Sequence, residues 1–324
     1  MARRRRYRYR YRRLAPVGAL VLLALAAGAW IGARRQPPPA AAAPPPAARA
    51  TVRQVTVQPP ALPPLAPEHL VTGTPLLQGR LRQPLQAQAA ILVDAKTGRV
   101  LWALRPHERR PVASTTKIMT ALLALRKLAP NDIVTVAPSV PRVPLVREGL
   151  RAGERVPAWK LFYSMLLYSG NDDALALAIA AGGDKWTFVR EMNAEARRLG
   201  LHDTHYSTPS GVVDADNYSS AWDLAGLTRV AMLNPRFRQI VRTKIERVSW
   251  AAPTYSKIYV NNNLMLTRYR GATGVKTGYT HKAGWCLVVS ATRGNVSLIA
   301  VVLDSGNIYA DATRLLNLGF AAES

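Results

Sequence analysis

The 324-residue chain carries 44 Lys and Arg against 19 Asp and Glu, a formal net charge of +25. A lone cysteine, Cys286, excludes an intramolecular disulfide and any thiolate-rich metal site. The positive charge does not indicate nucleic acid as a partner: eight arginines crowd Arg3–Arg13 directly before an uncharged apolar run, Leu14–Ala33, and that adjoining span explains them better than an RNA- or DNA-binding arm.

In chain order, residues 1–13 read as a cytoplasmic Arg-rich tail and residues 14–33 as a transmembrane signal-anchor long enough to cross a bilayer core as a helix. The anchor places the rest on the extracytoplasmic face of the cytoplasmic membrane. Cleavage near Ala41–Ala43, giving a secreted protein, is the alternative. Residues 34–85 have the Pro/Ala-rich composition of an extended tether, and residues 86–324 form one folded domain.

That domain opens with two short apolar runs, Ala90–Asp94 and Arg99–Ala103, joined across Gly98 as a β-hairpin. From Ser114 the apolar spacing becomes helical, with Ile118, Ala121, Leu122 and Leu125 on one stripe. Further helices are predicted over Ala158–Leu167, Asp172–Ala181, Trp186–Leu199 and Ala221–Leu233. Strands return at Gly274–Tyr279, Trp285–Ala291 and Ser297–Leu303, and a helix over Ala310–Leu318 follows. Strands at both ends of a helical middle make an α+β domain with one antiparallel sheet built from the two termini.

Three short motifs fall on these elements in order: Ser114-Thr115-Thr116-Lys117, Ser169-Gly170-Asn171 and Lys276-Thr277-Gly278. Each alone is weak, since Ser114 could be a plain helix N-cap and the other two a turn and a strand end. Together they carry chemistry. One helical turn puts Lys117 beside Ser114, and a neutral lysine can take the proton of a serine nucleophile. Desolvation and a nearby cation both lower a lysine's pKa, and Lys276 is the candidate cation. Ser169-Gly170-Asn171 interrupts an apolar stretch as a polar loop in a cleft would, while Lys276 and Thr277 can bind a carboxylate where Gly278 lets a substrate backbone approach.

These motifs, with Val93–Gly98, Thr208-Pro209-Ser210-Gly211 and Ala283-Gly284-Trp285, resemble the low-molecular-weight D-alanyl-D-alanine carboxypeptidases (penicillin-binding proteins, peptidase family S11) over about Gln88 to Phe320. The resemblance implies a β-lactamase/transpeptidase-like fold: a five-stranded antiparallel sheet with helices on both faces plus a helical subdomain. It implies catalysis by Ser114, Lys117 and Ser169, and substrate binding by Asn171, Lys276, Thr277, Gly278 and Tyr279, the last lending a backbone amide to the oxyanion hole. The substrate would be peptidoglycan stem peptides, with β-lactam antibiotics as acylating inhibitors and no cofactor or metal. A D,D-endopeptidase and a non-catalytic wall-binding scaffold are the competing readings.

A class A β-lactamase fits less well. Such enzymes have Asp where Gly170 stands and a loop glutamate, whereas Glu191 and Glu195 lie in an amphipathic helix and are read as solvated. Arg109 and Arg110 are read as surface residues, Cys286 as a buried thiol, and His202 and His205 as turn residues without a third metal ligand. No arginine follows the last strand in Val302–Asn307, where some relatives place one near the substrate carboxylate.

Overall fold

The computed structural model describes Leu70 and residues 73–212, 216–250 and 256–322, all within one compact unit, Val57–Ser324. The predicted tail, the membrane span and the linker up to residue 72, Leu70 apart, lie outside the described residues. Among the described residues no helix is long and apolar enough to cross a membrane.

The chain starts with the hairpin β1 (Ala89–Asp94) and β2 (Val100–Leu104), followed by a two-residue strand β3 (Arg110–Pro111) and a 3-10 turn at Ala113–Thr116 that runs into α1 (Lys117–Lys127). A small ribbon, β4 (Ile133–Thr135) with β5 (Arg155–Pro157), leads to α2 (Ala158–Tyr163), a wide π-type turn Ser164–Tyr168, α3 (Asn171–Gly182) and α4 (Lys185–Arg198). Then come β6 (Tyr218–Ser219, paired with β3), α5 (Ala221–Ala231), α6 (Pro235–Arg242), the hairpin β7 (Ile245–Val248) and β8 (Lys257–Val260), and α7 (Met265–Arg268). The long strands β9 (Ala272–Thr280), β10 (Gly284–Arg293) and β11 (Val296–Leu303) precede α8 (Ile308–Ala322).

The main sheet has the order β2-β1-β11-β10-β9, antiparallel throughout, so the strands from the two ends of the domain meet where Ile91 opposes Val301. Both faces are covered, and for that reason β1, β10 and β11 read as unbroken apolar runs rather than alternating ones. Ile91, Val93, Val288, Ile299 and Val301 pack toward α1, α5 and α6, while Ala90, Leu92, Leu287, Val289, Leu298 and Val302 pack under α8. The period-two split of neighbouring residues between two cores pins the register, since a one-residue slip would exchange the faces.

Helix limits follow their caps. Asp184 accepts the N–H groups of Trp186 and Thr187 at the start of α4, and Ser220 accepts that of Asp223 at the start of α5. Two expectations change. The helix predicted over Ala158–Leu167 ends at Tyr163 and gives way to the π-type turn, which lets the chain close on Ser169 in a left-handed conformation (φ 78°). Helix α6 and the β7–β8 hairpin went unpredicted: α6 is short, although Phe237, Ile240 and Val241 fall on one buried stripe behind the Asn234 cap, and in the hairpin the exposed Ile245, Ile258 and Val260 leave little apolar pattern.

Candidate active site

The geometry begins at the 3-10 turn. Ala113 is held at φ 46°, an uncommon conformation for a residue with a side chain, and it delivers buried Ser114 to the head of α1. No side-chain capping bond is made there, so Ser114 does not act as the plain N-cap that its position allows. Lys117, fully buried, places Nζ 2.9 Å from Ser114 Oγ, 2.8 Å from Asn171 Oδ1 and 2.9 Å from the carbonyl oxygen of Ser210. Burial and the nearby charge of Lys276 hold the Lys117 amine well below its ordinary pKa, against the opposing pull of Asp173 and Asp172. Lys276 is also buried on β9, and desolvation brings it to about 7.

Lys117 thus has three oxygens around its three N–H bonds. Loss of one proton leaves two N–H groups for Asn171 and Ser210 and a lone pair free to face Ser114, the arrangement a general base needs. The sequence reading missed the Ser210 carbonyl as a tether. Its segment is fixed by Thr120 Oγ1, which donates to Pro209 O at 2.6 Å, and by Asn217 Oδ1, which accepts from the Ser207 and Thr208 amides. Gly211 (φ 74°) packs so tightly that a Cβ would lie 1.9 Å from Ala113 O, and the glycine of the Thr208-Pro209-Ser210-Gly211 turn was the available signal.

β9 is an edge of the sheet, so alternate backbone groups of Lys276–Tyr279 are not used by a second strand. A Cβ on Gly278 would stand 2.9 Å from the Ser114 nitrogen and 3.1 Å from Ala113 Cβ. The glycine therefore makes room for the nucleophile turn. Thr277 is nearly buried, and Tyr279, 44% exposed, rests on Trp285 with ring centroids 4.5 Å apart and meets His281 edge-on.

The opposite wall is Ser169-Gly170-Asn171. Asn171 opens α3, receives Lys117, and donates from Nδ2 to Pro144 O at 3.2 Å. Asp172 next to it accepts the amides of Glu148, Gly149 and Leu150 at 2.8, 2.8 and 3.1 Å, which ties the preceding loop to the helix. The structure thus brings Ser114, Lys117, Asn171, Lys276 and Gly278 together, with Ser169 two residues from Asn171 and Tyr279 at the rim.

The match that decides the family covers residues 78–307, which fit the Peptidase S11 family, D-alanyl-D-alanine carboxypeptidase. The chain belongs to the D-alanyl-D-alanine carboxypeptidase family. Among family relatives, a D-alanyl-D-alanine carboxypeptidase of Streptomyces sp. (strain K15) is 36% identical over 78% of this chain and 96% of its own length. D-alanyl-D-alanine carboxypeptidase DacF of Bacillus subtilis is 31% identical over 73% of this chain, which spans 62% of that protein. A D-alanyl-D-alanine endopeptidase of Pseudomonas aeruginosa is 34% identical over 72% of this chain and 77% of its own. The crystal structure of the Streptomyces K15 DD-transpeptidase superposes with a TM-score of 0.70 at 34% identity, covering 74% of this chain and 98% of that one.

Two family-independent expectations need correction. Glu195 is buried, not solvated: Arg126 and Arg198 each donate to it at 2.7 Å, while Glu191 pairs with Lys127. Arg110 is no surface residue either, since it is mostly buried and bridges Glu108 and Asp304. Arg109 is exposed and pairs with Asp203, a residue His107 also approaches. Cys286 is buried on β10, and its thiol is pushed up to about 12 by desolvation.

Proposed function

We propose that the chain is a serine D-Ala-D-Ala carboxypeptidase that removes the terminal D-alanine from peptidoglycan stem pentapeptides. The observation that carries the reading is the Ser114–Lys117–Asn171 contact set, with a lysine whose proton is already weakly held. Ser114 Oγ attacks the carbonyl carbon between the two D-alanines and its proton passes to Lys117. The tetrahedral intermediate collapses with cleavage of the C–N bond, and the departing amine takes up a proton through Ser169. Water then hydrolyses the Ser114 ester, restoring the hydroxyl and releasing the shortened peptide.

Lys276 in its charged form and Thr277 receive the terminal carboxylate, and Asn171 holds the peptide along edge strand β9. The amides of Ser114 and Tyr279 form the oxyanion hole. A β-lactam ring amide offers the same electrophile and acylates Ser114.

Residues 14–33 anchor the enzyme in the cytoplasmic membrane, with residues 34–85 as tether and residues 86–324 as the extracytoplasmic catalytic domain. The support is the uncharged apolar length flanked by arginines. Fractionation of the full chain against one starting at residue 57, where the compact unit begins, tests this: loss of membrane association only in the shorter chain is expected, and equal association would refute the anchor.

A D,D-endopeptidase acting on cross-links is the second reading, favoured by the relative of that name. Mass analysis of products from a free pentapeptide and from a cross-linked dimer separates them. Release of D-alanine from the pentapeptide supports the carboxypeptidase, and cleavage of the dimer alone supports the alternative.

A further inference from the structure

Behind the Ser169–Asn171 loop lies a buried acid that the reaction above does not use. Asp173, fully buried on α3, sits directly beneath Gly170: a Cβ on that glycine would fall 1.9 Å from Asp173 Oδ2. The same Oδ2 is 2.5 Å from the hydroxyl of buried Ser164, which in turn is 3.2 Å from Glu148 Oε2. Glu148 is ion-paired with Lys257 of β8.

The hydrogen count at Ser164 fixes the charges. A serine hydroxyl has one proton to donate, yet it stands between two carboxyl oxygens. One of the two acids must therefore supply the second hydrogen. Glu148 faces the Lys257 ammonium and is the natural anion. Asp173 has a second oxygen, Oδ1, that is buried without a hydrogen-bond partner, and the carboxyl of its chain neighbour Asp172 accepts the backbone amides of Glu148, Gly149 and Leu150. An ionised Asp173 would thus be a buried charge without an ion-pair partner, close to the carboxyls of Asp172 and Glu148.

We infer that Asp173 is a positioning residue held as a neutral acid, which donates to Ser164, fixes Gly170 from below and withholds a negative charge from Lys117. The order of protons is Asp173 O–H to Ser164, Ser164 O–H to the Glu148 carboxylate, and Lys257 to Glu148. Burial raises both acids, reinforced at Asp173 by Asp172 and Glu148, whereas Lys257 draws Glu148 back down. The groups facing this chain are Asp172, Lys117, Lys257 and the Tyr259 phenol, with Lys276 beyond Lys117. An anionic Asp173 would raise the pKa of Lys117 and keep the base protonated.

The consequence for catalysis rests on the proposed role of Lys117, while the proton on Asp173 does not. Two readouts of the full chain separate them: the infrared band of a protonated buried carboxyl, and the pH dependence of acylation by a soluble chromogenic β-lactam. Asp173→Asn, whose amide can donate to Ser164, is expected to abolish the band and to leave the ascending limb at the wild-type pH. Asp173→Ala, which leaves Gly170 unsupported, is expected to slow acylation about tenfold, with most of the rate restored by the Asn variant.

Glu148→Gln removes the anion that orients Ser164, so Ser164 turns its hydrogen to Asp173 and Asp173 ionises. The ascending limb then moves up by about one unit, a tenfold loss below the limb, and Glu148→Gln/Asp173→Asn brings it back. A limb shifted to lower pH in Asp173→Asn, or a shift in Glu148→Gln that the double variant keeps, would overturn the proposal. So would the lack of any carboxyl band sensitive to Asp173→Asn, a comparison that stands even if Glu148→Gln does not fold. Wild-type protein with the band but no acylation would refute the reaction and leave the neutral Asp173 in place.

Discussion

Gly278 on the edge strand and Ser114 in the nucleophile turn are in contact: a Cβ on the glycine would reach to within 2.9 Å of the Ser114 nitrogen. The sheet and the helical half of the domain therefore set the position of the nucleophile together. Gly278→Ala is expected to push the turn off its site and slow β-lactam acylation by about 10²-fold, as displacements near 1 Å do. Stopped-flow acylation, with circular dichroism to confirm a retained fold, checks it.

The rate should depend on pH as a bell. Acylation needs neutral Lys117, so it rises with pH through that group's lowered pKa, and carboxylate binding needs charged Lys276, so it falls as pH passes about 7. The two limbs belong to the coupled pair rather than to either lysine alone. Lys276→Met removes the cation that lowers Lys117, so the ascending limb should move to higher pH while KM for a peptide carboxylate rises. An unmoved ascending limb would detach Lys276 from the base.

Thr120 Oγ1 donates to Pro209 O inside the core and thereby steadies the carbonyl of Ser210 that Lys117 uses. Thr120→Val leaves Pro209 O buried and unsatisfied, with an expected loss of about 1–3 kcal/mol in denaturant unfolding. Acylation should slow as well, because the loosened Ser210 carbonyl no longer directs the Lys117 amine. A stability loss without any change in rate would make the Ser210 tether irrelevant to the base.

At Glu195, burial pushes the carboxyl up, but the hydrogen bonds and charges of Arg198 and Arg126 bring it net below its ordinary value. A depressed folded pKa adds stability that is present above the unfolded value of about 4.3 and lost as pH falls through the folded one. Wild type should therefore lose more stability than Glu195→Gln on acidification from pH 5 to pH 3. Thermal melts over that range decide it, and parallel curves would count against the ion pair.

The sequence made much of this legible because the constraints were local. Short apolar runs bounded by turn residues identify every strand of the main sheet, and Ser114 to Lys117 is one helical turn in any fold that puts a helix there. What escaped depends on tertiary packing. Glu195 falls on the stripe of Phe188, Val189, Met192 and Ala196 that α4 buries, but only the partner Arg126 on another helix shows how a charged residue is accommodated there. The Ser210 carbonyl is a backbone atom, to which residue identity gives no clue, and Asp173 becomes unusual only through Ser164 and Glu148, which are 9 and 25 residues away in sequence. The exposed β7–β8 hairpin carries its order in backbone pairing, such as Ile245 with Val260, and leaves little apolar pattern to read.

The most direct test of the account is the intact mass of the protein after exposure to a β-lactam, for wild type and Ser114→Ala, followed by a D-alanine release assay on a stem pentapeptide. One adduct per wild-type chain, none on the variant, and D-alanine released only by wild type is the predicted result. A folded wild-type chain that takes no label, or an adduct that persists in Ser114→Ala, would contradict Ser114 as the nucleophile.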